Sequence, residues 1–202
     1  MKKIVIASNN PGKLRELTAL LKPLGIEAVP QAAMNVSEAD EPHETFLENA
    51  LAKARHASRA TGLPALADDS GLCVAALGGA PGVQSAHYAG KRGNRDERDA
   101  RNNAKLVADL DHADNRAAYY YCVLVLVRGP DDPAPIVVDG TWHGEILEGP
   151  RGTLGFGYDP YFQTDQRGLT AAEMPADDKN RLSHRGKALA RLAARLSAAG
   201  LT

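Results

Sequence analysis

Residues 2–25 read KKIVIASNNPGKLRELTALLKPLG, and the order of signals in this stretch sets the fold class. The apolar run Ile4, Val5, Ile6 and Ala7 has the length and branching of a short buried strand. Leu14, Leu17, Leu20 and Leu21 then recur at helical spacing up to the breakers Pro23 and Gly25. Between strand and helix lies the turn Ser8, Asn9, Asn10, Pro11, Gly12, Lys13. Asn10 is placed to cap the helix and Pro11 suits its first turn. The backbone N–H groups beside Lys13 offer a site for an anion, most simply a phosphate. An ordinary strand-to-helix turn uses the same residue types, so a phosphate role needs support from elsewhere in the chain. The turn is not a Walker loop, which requires Gly where Ala7 stands and Ser or Thr where Leu14 stands.

The rest of the chain extends this α/β beginning. With 202 residues, one domain is the default, a two-lobed single unit is possible, and the chain can bury a substantial core without staples. Lys and Arg total 24 against 25 Asp and Glu, a net charge of -1, so no global basic surface points to nucleic acid or an acidic membrane. Cys73 and Cys122 stand alone in apolar contexts, which argues against zinc and for core positions in a reducing compartment. No signal peptide is visible, and the run YYYCVLVLV is cut off by Arg128 and Gly129 before it could span a bilayer. A cytoplasmic protein is expected.

No internal repeat interrupts the pattern. After an acidic segment, SEADEPHE, comes TFLENALAKARHASRATG, a helix in which Thr45 and Glu48 form a capping box and Gly62 ends the run. Residues 63–67 suit a short strand. The stretch LGGAPGVQSAHYAGKRGNRDER is rich in turn residues and precedes a second helical pattern at 100–110. Residues 119–127 give the longest strand signal. The segment PDDPAP separates them from IVVDGTWHGEI, an arrangement that predicts an antiparallel pair. Ser183 is placed to cap a final helix carrying Leu189, Leu192 and Leu196 on one face. Helices interspersed with both hairpin and crossover connections predict a mixed sheet.

Four stretches could carry chemistry. In LADDSGL, Asp68, Asp69 and Ser70 stand at the end of the expected strand. Adjacent carboxylates repel, which is tolerable when solvent screens them in a turn or when a divalent cation binds one of them. The absence of a residue between the two aspartates excludes the aspartyl-phosphatase signature. A second acidic cluster, Glu38, Asp40, Glu41 and Glu44, precedes the capping box and suits the N-terminal end of a helix. Two turns into that helix stands Lys53, near the face of Asn49 and Ala57. If that face is buried its ammonium needs an anion, whether carboxylate or phosphate; if it is exposed it needs none. GTLGFGYDPYF places Phe156, Tyr158 and Tyr161 among glycines, so that backbone can approach a ligand while a ring offers a stacking face for a base. A β-bulge with core aromatics reads the same way, and the dinucleotide fingerprint is absent. In DDKNRLSHRGKAL, His184 and Arg185 sit at a helix N-terminus with Lys179 upstream and Lys187 beyond. Cations there oppose the helix dipole unless an anion or an acceptor-rich group is bound. An anion turn, a carboxylate pair for Mg²⁺, a stacking loop and donors on a helix start together describe a nucleoside polyphosphate pocket.

The ordered set SNNPGKLREL, TFLENALAKA, ADDSGL, LGGAPGVQSAHYAG, GTLGFGYDP and LSHRGKAL resembles the inosine triphosphate pyrophosphatase family, the bacterial XTP/dITP diphosphatases, along nearly the whole chain. The resemblance implies one domain over residues 1–202. Its fold would be a two-lobed α/β unit with a mixed β-sheet, flanking helices and a central substrate cleft. It also implies a homodimer, Mg²⁺ dependence, and hydrolysis of deaminated purine triphosphates (ITP, dITP, XTP) to monophosphate and pyrophosphate. Ser8, Asn9, Asn10, Pro11, Gly12, Lys13 and Lys53 would surround the phosphates. Asp69 would serve as metal ligand and proton acceptor, and Ser70 would touch the substrate. Phe156, Gly157, Tyr158, Asp159, Lys179, His184 and Arg185 would complete the nucleotide pocket. The donors at the start of the final helix suit the 6-keto oxygen of hypoxanthine and xanthine, and from them Arg185 is expected to donate to that oxygen.

One departure stands out. Relatives carry two acidic residues and then a glycine shortly before the Thr-Phe pair, whereas this chain has Asp40, Glu41, Pro42 and His43. By spacing, Asp40 and Glu41 take the places of the two acidic residues, leaving both as candidate metal ligands beside Asp69. The expected activity is therefore that of a nucleotide-pool cleaner without a nucleic-acid or membrane partner. A pyrophosphatase for other modified nucleotides and a non-catalytic nucleotide-binding regulatory module are the alternatives.

Overall fold

The structure is a computed structural model that describes residues 2–164 and 168–200, apart from the side chain of Leu20. Its elements run β1 (Lys3–Ile6), α1 (Pro11–Leu21), β2 (Glu27–Pro30), α2 (Phe46–Thr61), β3 (Ala65–Val74), α3 (Arg95–Asp109), β4 (Ala117–Val127), β5 (Ile136–Ile146), β6 (Phe162–Thr164), α4 (Ala176–Leu182) and α5 (His184–Ala198). The six strands form one open sheet in the order β2-β1-β3-β4-β5-β6. β1 pairs in parallel with both β2 and β3, whereas β5 and β6 are antiparallel, so the sheet is mixed as the sequence pattern predicts. β4 and β5 are neighbours, joined by a loop in which Asp132 accepts from the backbone N–H groups of Arg128 and Ala134 and pairs with the Arg128 guanidinium.

Two compact units divide the chain. The first comprises residues 1–69, 122–140 and 184–202; the second comprises 70–121 and 141–183. β3, β4 and β5 contribute residues to both. The core of the first unit joins Ile4, Ile6 and Leu66 to Leu17 and Leu21 of α1 and to Leu189, Leu192 and Leu196 of α5. Side chains alternate along a strand, so Val5, Ala65 and Ala67 face the other side of the sheet, where α2 covers β1. The buried stripe of α2 is Asn49, Ala50, Lys53, Ala54, Ala57 and Ser58, and its alanines allow a close approach to the strands. The helix is fixed at both ends. Thr45 Oγ1 accepts from the Glu48 N–H at 3.2 Å, and Gly62 adopts φ +67° and donates to Ser58. In the second unit Trp142, Phe162 and Tyr120 cluster with Leu106 and Leu110 of α3. Among the described residues no helix is long and apolar enough to cross a membrane.

One expectation needs correction. The strand expected at 63–67 runs on to Val74, so Asp68, Asp69 and Ser70 lie in the middle of β3 rather than in a turn at its end. Carboxylates are disfavoured in buried strands, and here they are tolerated because cations from the flanking helices meet them. The final helix, α5, starts directly after Ser183 with Leu189, Leu192 and Leu196 buried, as expected, and a short helix, α4, precedes it. α5 starts hard against β5. A side chain at Gly140 would meet the backbone oxygen of His184 at 2.1 Å, so only glycine fits there.

Candidate active site

Because Asp68 and Asp69 are consecutive residues of a strand, their side chains leave opposite faces of the sheet. Asp68 follows Leu66 toward α1 and α5. It is 1% exposed, and its Oδ1 lies 2.5 Å from Lys13 Nζ. Its Oδ2 accepts from Arg185 Nε at 2.8 Å and from the thiol of Cys122 at 3.1 Å. Arg185, itself 2% exposed, also holds Glu16 of α1 through Nη1. Burial alone would raise the Asp68 pKa, but the charges of Arg185 and Lys13 outweigh it and hold the carboxyl well below the ordinary carboxylate range. Two cations thus meet two carboxylates, and the charge on this face is balanced.

Asp69 follows Ala65 and Ala67 toward α2. Its Oδ1 accepts from Lys53 Nζ at 2.8 Å, and the same ammonium lies 3.3 Å from Glu41 Oε2. Burial raises the Asp69 pKa above the ordinary carboxylate value, against the pull of Lys53 and Lys13. Burial alone would lower that of Lys53, yet the carboxylates of Asp69 and Glu41 hold it above its ordinary value. The Asp69 Oδ2 is buried and has no hydrogen-bond partner. Here two carboxylates meet one ammonium, and the face carries surplus negative charge.

This donor set fits a hard divalent cation. A magnesium ion takes one or two carboxylates and fills its remaining positions with water and substrate phosphate oxygens. An unpartnered buried carboxylate oxygen beside a second carboxylate matches that requirement. Among the described residues no group of three or more His, Cys, Asp or Glu side chains is arranged to hold a metal unaided. Glu41 is brought to Lys53 and Asp69, whereas Asp40 is exposed and belongs to neither charge cluster.

The anion turn requires a further correction. Asn10 Oδ1 accepts from the N–H groups of Gly12 at 2.9 Å and Lys13 at 3.2 Å, and the Asn10 carbonyl accepts from Leu14. Pro11 has no N–H, so the first turn of α1 offers no free backbone donor. What the turn presents is side chains. Ser8 Oγ accepts from the Asn10 N–H, Asn9 is exposed with its Oδ1 accepting from Gln31, and the Lys13 ammonium sits on Asp68. Arg185 at the start of α5 also finds a partner that the sequence did not disclose. The anion that Arg185 needs is Asp68, 117 residues earlier in the chain, so its Nε is engaged by a carboxylate rather than offered to a base. His184 is buried beside it, 6% exposed.

In the second unit, residues 155–159 fold around one carboxylate. Asp159 Oδ2 accepts from the Phe156 N–H at 2.8 Å and from Lys179 Nζ at 2.7 Å. Gly155 holds φ +80°, and a side chain there would strike Asp159 Oδ2 at 2.1 Å. Tyr158 is buried and donates its hydroxyl to the Ser85 carbonyl. Of the aromatics expected to offer a stacking face, Phe156 and Tyr161 are both half-buried, and Phe156 has Arg95 4.6 Å and Lys179 4.9 Å from its ring centre. Ser70, also half-buried, follows Asp69 in β3. The sequence reading missed Asp99 and Asn103 of α3, which bond the backbone of Gly157. The signal available was the pair Asn102-Asn103 inside a helix, where asparagine is a poor choice unless its amide has work to do.

Comparison with known proteins accords with this geometry. The Ham1 family model matches residues 4–195. A dITP/XTP pyrophosphatase from Bordetella pertussis is 60% identical over 200 residues, which cover 99% of this chain and 93% of that protein. One from Nitrosomonas europaea is 62% identical over 197 residues, covering 98% and 95%. Among solved structures, a HAM1 protein from Coxiella burnetii superposes with a TM-score of 0.89 at 48% identity, covering 98% of this chain and 100% of that one. The chain belongs to the Ham1 family.

Proposed function

We propose that this protein hydrolyses deaminated purine nucleoside triphosphates, dITP, XTP and ITP, to the nucleoside monophosphate and pyrophosphate. End-to-end identity of 60% to dITP/XTP pyrophosphatases is the observation that carries the reading. The arrangement of Lys53, Asp69 and Glu41 supplies chemistry that suits it. Lys53 binds Asp69 Oδ1 and so fixes the carboxylate, leaving Oδ2 as the oxygen of this residue open to a cation or to the proton of an attacking water. Asp69 and Glu41 are the residues that would hold Mg²⁺, which when bound supplies Lewis-acid stabilisation of phosphate charge. The ammonium groups of Lys13 and Lys53 are suited to the negative charge of the triphosphate, and the Phe156 ring serves as a stacking face for the base. The two buried free cysteines suit a reducing cytoplasm. A homodimer is proposed from the family resemblance.

The test is product analysis across ITP, XTP, dITP and the four common nucleoside triphosphates, with and without Mg²⁺. Release of IMP and pyrophosphate from ITP, dependent on Mg²⁺ and much faster than turnover of ATP, is the expected result. IDP and orthophosphate as first products would contradict it.

A further inference from the structure

One face of α3 grips the glycine loop. Arg95, Asp99 and Asn103 recur every four residues and so lie along one side of the helix. Asp99 Oδ2 accepts from the Gly157 N–H at 3.0 Å, and Asn103 Nδ2 donates to the Gly157 carbonyl at 2.9 Å. Both backbone polar groups of a single residue are thus held by one helix, while Arg95 lies over the ring of the residue before it. Asn102 does the equivalent for the preceding loop, donating to the Ser85 carbonyl at 3.2 Å and accepting from the Ala89 N–H at 2.8 Å. Gly157 adopts φ +64°, and Gly155, two residues earlier, is also left-handed. Glycines have the widest backbone freedom of any residue, so without these contacts the chain on both sides of Phe156 would sample many conformations. Asn102 and Asn103 are nearly fully buried in a helix interior, a placement that their low helix propensity opposes and that the two loop attachments explain.

We propose that Asp99 and Asn103 are positioning residues that set base selectivity by fixing the Phe156 ring through Gly157. The proposal rests on the reading that Phe156 stacks on the base. Asp99 and Asn103 belong to the second unit, whereas Lys53, Asp69 and Glu41 belong to the first, so weakening the grip acts on binding and base choice rather than on the bond-breaking step. It also makes the two positions unequal under conservative change. Asp99→Asn retains a carbonyl oxygen able to accept from Gly157, whereas Asn103→Ala removes the donor to its carbonyl and Asp99→Ala removes the acceptor.

The experiment is steady-state kinetics with ITP and ATP on the full-length wild type, Asn103→Ala, Asp99→Ala and Asp99→Asn, each with a thermal melt. Loss of one such hydrogen bond corresponds to about a 10-fold change. Asn103→Ala and Asp99→Ala are expected to raise KM for ITP by about that factor and to lower the ITP:ATP ratio of kcat/KM similarly, with kcat on ITP almost unchanged. Asp99→Asn is expected to stay close to wild type, which a loss of packing alone would not produce. If Asn103→Ala does not fold, Asn103→Asp removes the donor at constant size and is read in the same way. An unchanged ITP:ATP ratio in the folded alanine variants, or an Asp99→Asn enzyme as impaired as Asp99→Ala, overturns the proposal. A wild type that shows no preference for ITP over ATP overturns the functional reading and this proposal with it.

Discussion

Asp68 and Asp69 are neighbours in sequence and share a strand, yet they live in different electrostatic worlds. The α1 and α5 side offers Asp68 two cations and the thiol of Cys122, and a second carboxylate, Glu16, completes the charge balance through Arg185. The α2 side offers Asp69 one ammonium, which it shares with Glu41, and leaves Oδ2 without a partner. A balanced, fully bonded cluster resists change and holds helices to a sheet. An unbalanced one with an unsatisfied oxygen is poised to take up a cation or a proton. Strand alternation alone separates the two roles, which is why one residue of register decides which aspartate is available for chemistry.

The comparison can be attacked from the unbalanced side first, where the largest effect is expected. Lys53→Met removes the ammonium hydrogen-bonded to Asp69, and kcat on ITP should fall by about 10²–10³-fold, the range seen when a single stabilising donor is removed from an active site. A loss of less than about 5-fold in single-turnover assays would show that the ammonium is structural. Next comes the question of which acidic residue serves the metal. Glu41→Gln should raise the Mg²⁺ concentration needed for half-maximal activity at least about 10-fold, and Asp40→Asn should leave it unchanged, because only Glu41 reaches the Lys53 and Asp69 pair. A Mg²⁺ titration that moved with Asp40 instead would break the assignment. The smallest effect is expected on the balanced side. Glu16→Gln leaves Arg185 its bonds to Asp68 but weakens a charge-assisted contact, for a loss of about 1.5–3 kcal/mol of stability with kcat little changed. Chemical denaturation reads this directly, and a catalytic loss without a stability loss would place Glu16 in the reaction instead.

Much of this was legible in the sequence, and what escaped did so for identifiable reasons. The β1 to α1 unit, the Thr45 and Glu48 cap, and the need of Lys53 for an anion were carried by local pattern, and the structure supplies the partner as Asp69. The length of β3 was not legible, because two adjacent aspartates followed by Ser70 and Gly71 have turn chemistry. Only partners distant in sequence make them acceptable in a buried strand. The pattern at the start of α5 shows cations that oppose the helix dipole, but not that the anion of Arg185 is Asp68, 117 residues away. The free N–H groups expected beside Lys13 were already taken by Asn10, whose capping role and whose neighbours' availability to an anion compete for the same donors. The grip of α3 on Gly157 links positions 54 and 58 residues apart, beyond any periodic signal.

The most direct test of the two-faced strand is a paired measurement of kcat and thermal midpoint on Asp68→Asn and Asp69→Asn. Each change preserves shape and removes one charge. Asp69→Asn should keep a midpoint within a few degrees of wild type while kcat on ITP falls by about 10³-fold, in the range for loss of a general base. Asp68→Asn should lose stability instead. It leaves Arg185 and Lys13 facing an amide in a buried site, for about 3–5 kcal/mol, or roughly 10 °C in a chain of this size. At a temperature where it is folded it should retain far more activity than Asp69→Asn. The opposite pattern, an Asp68→Asn protein as stable as wild type and an Asp69→Asn protein that melts early or turns over ITP normally, would contradict the account.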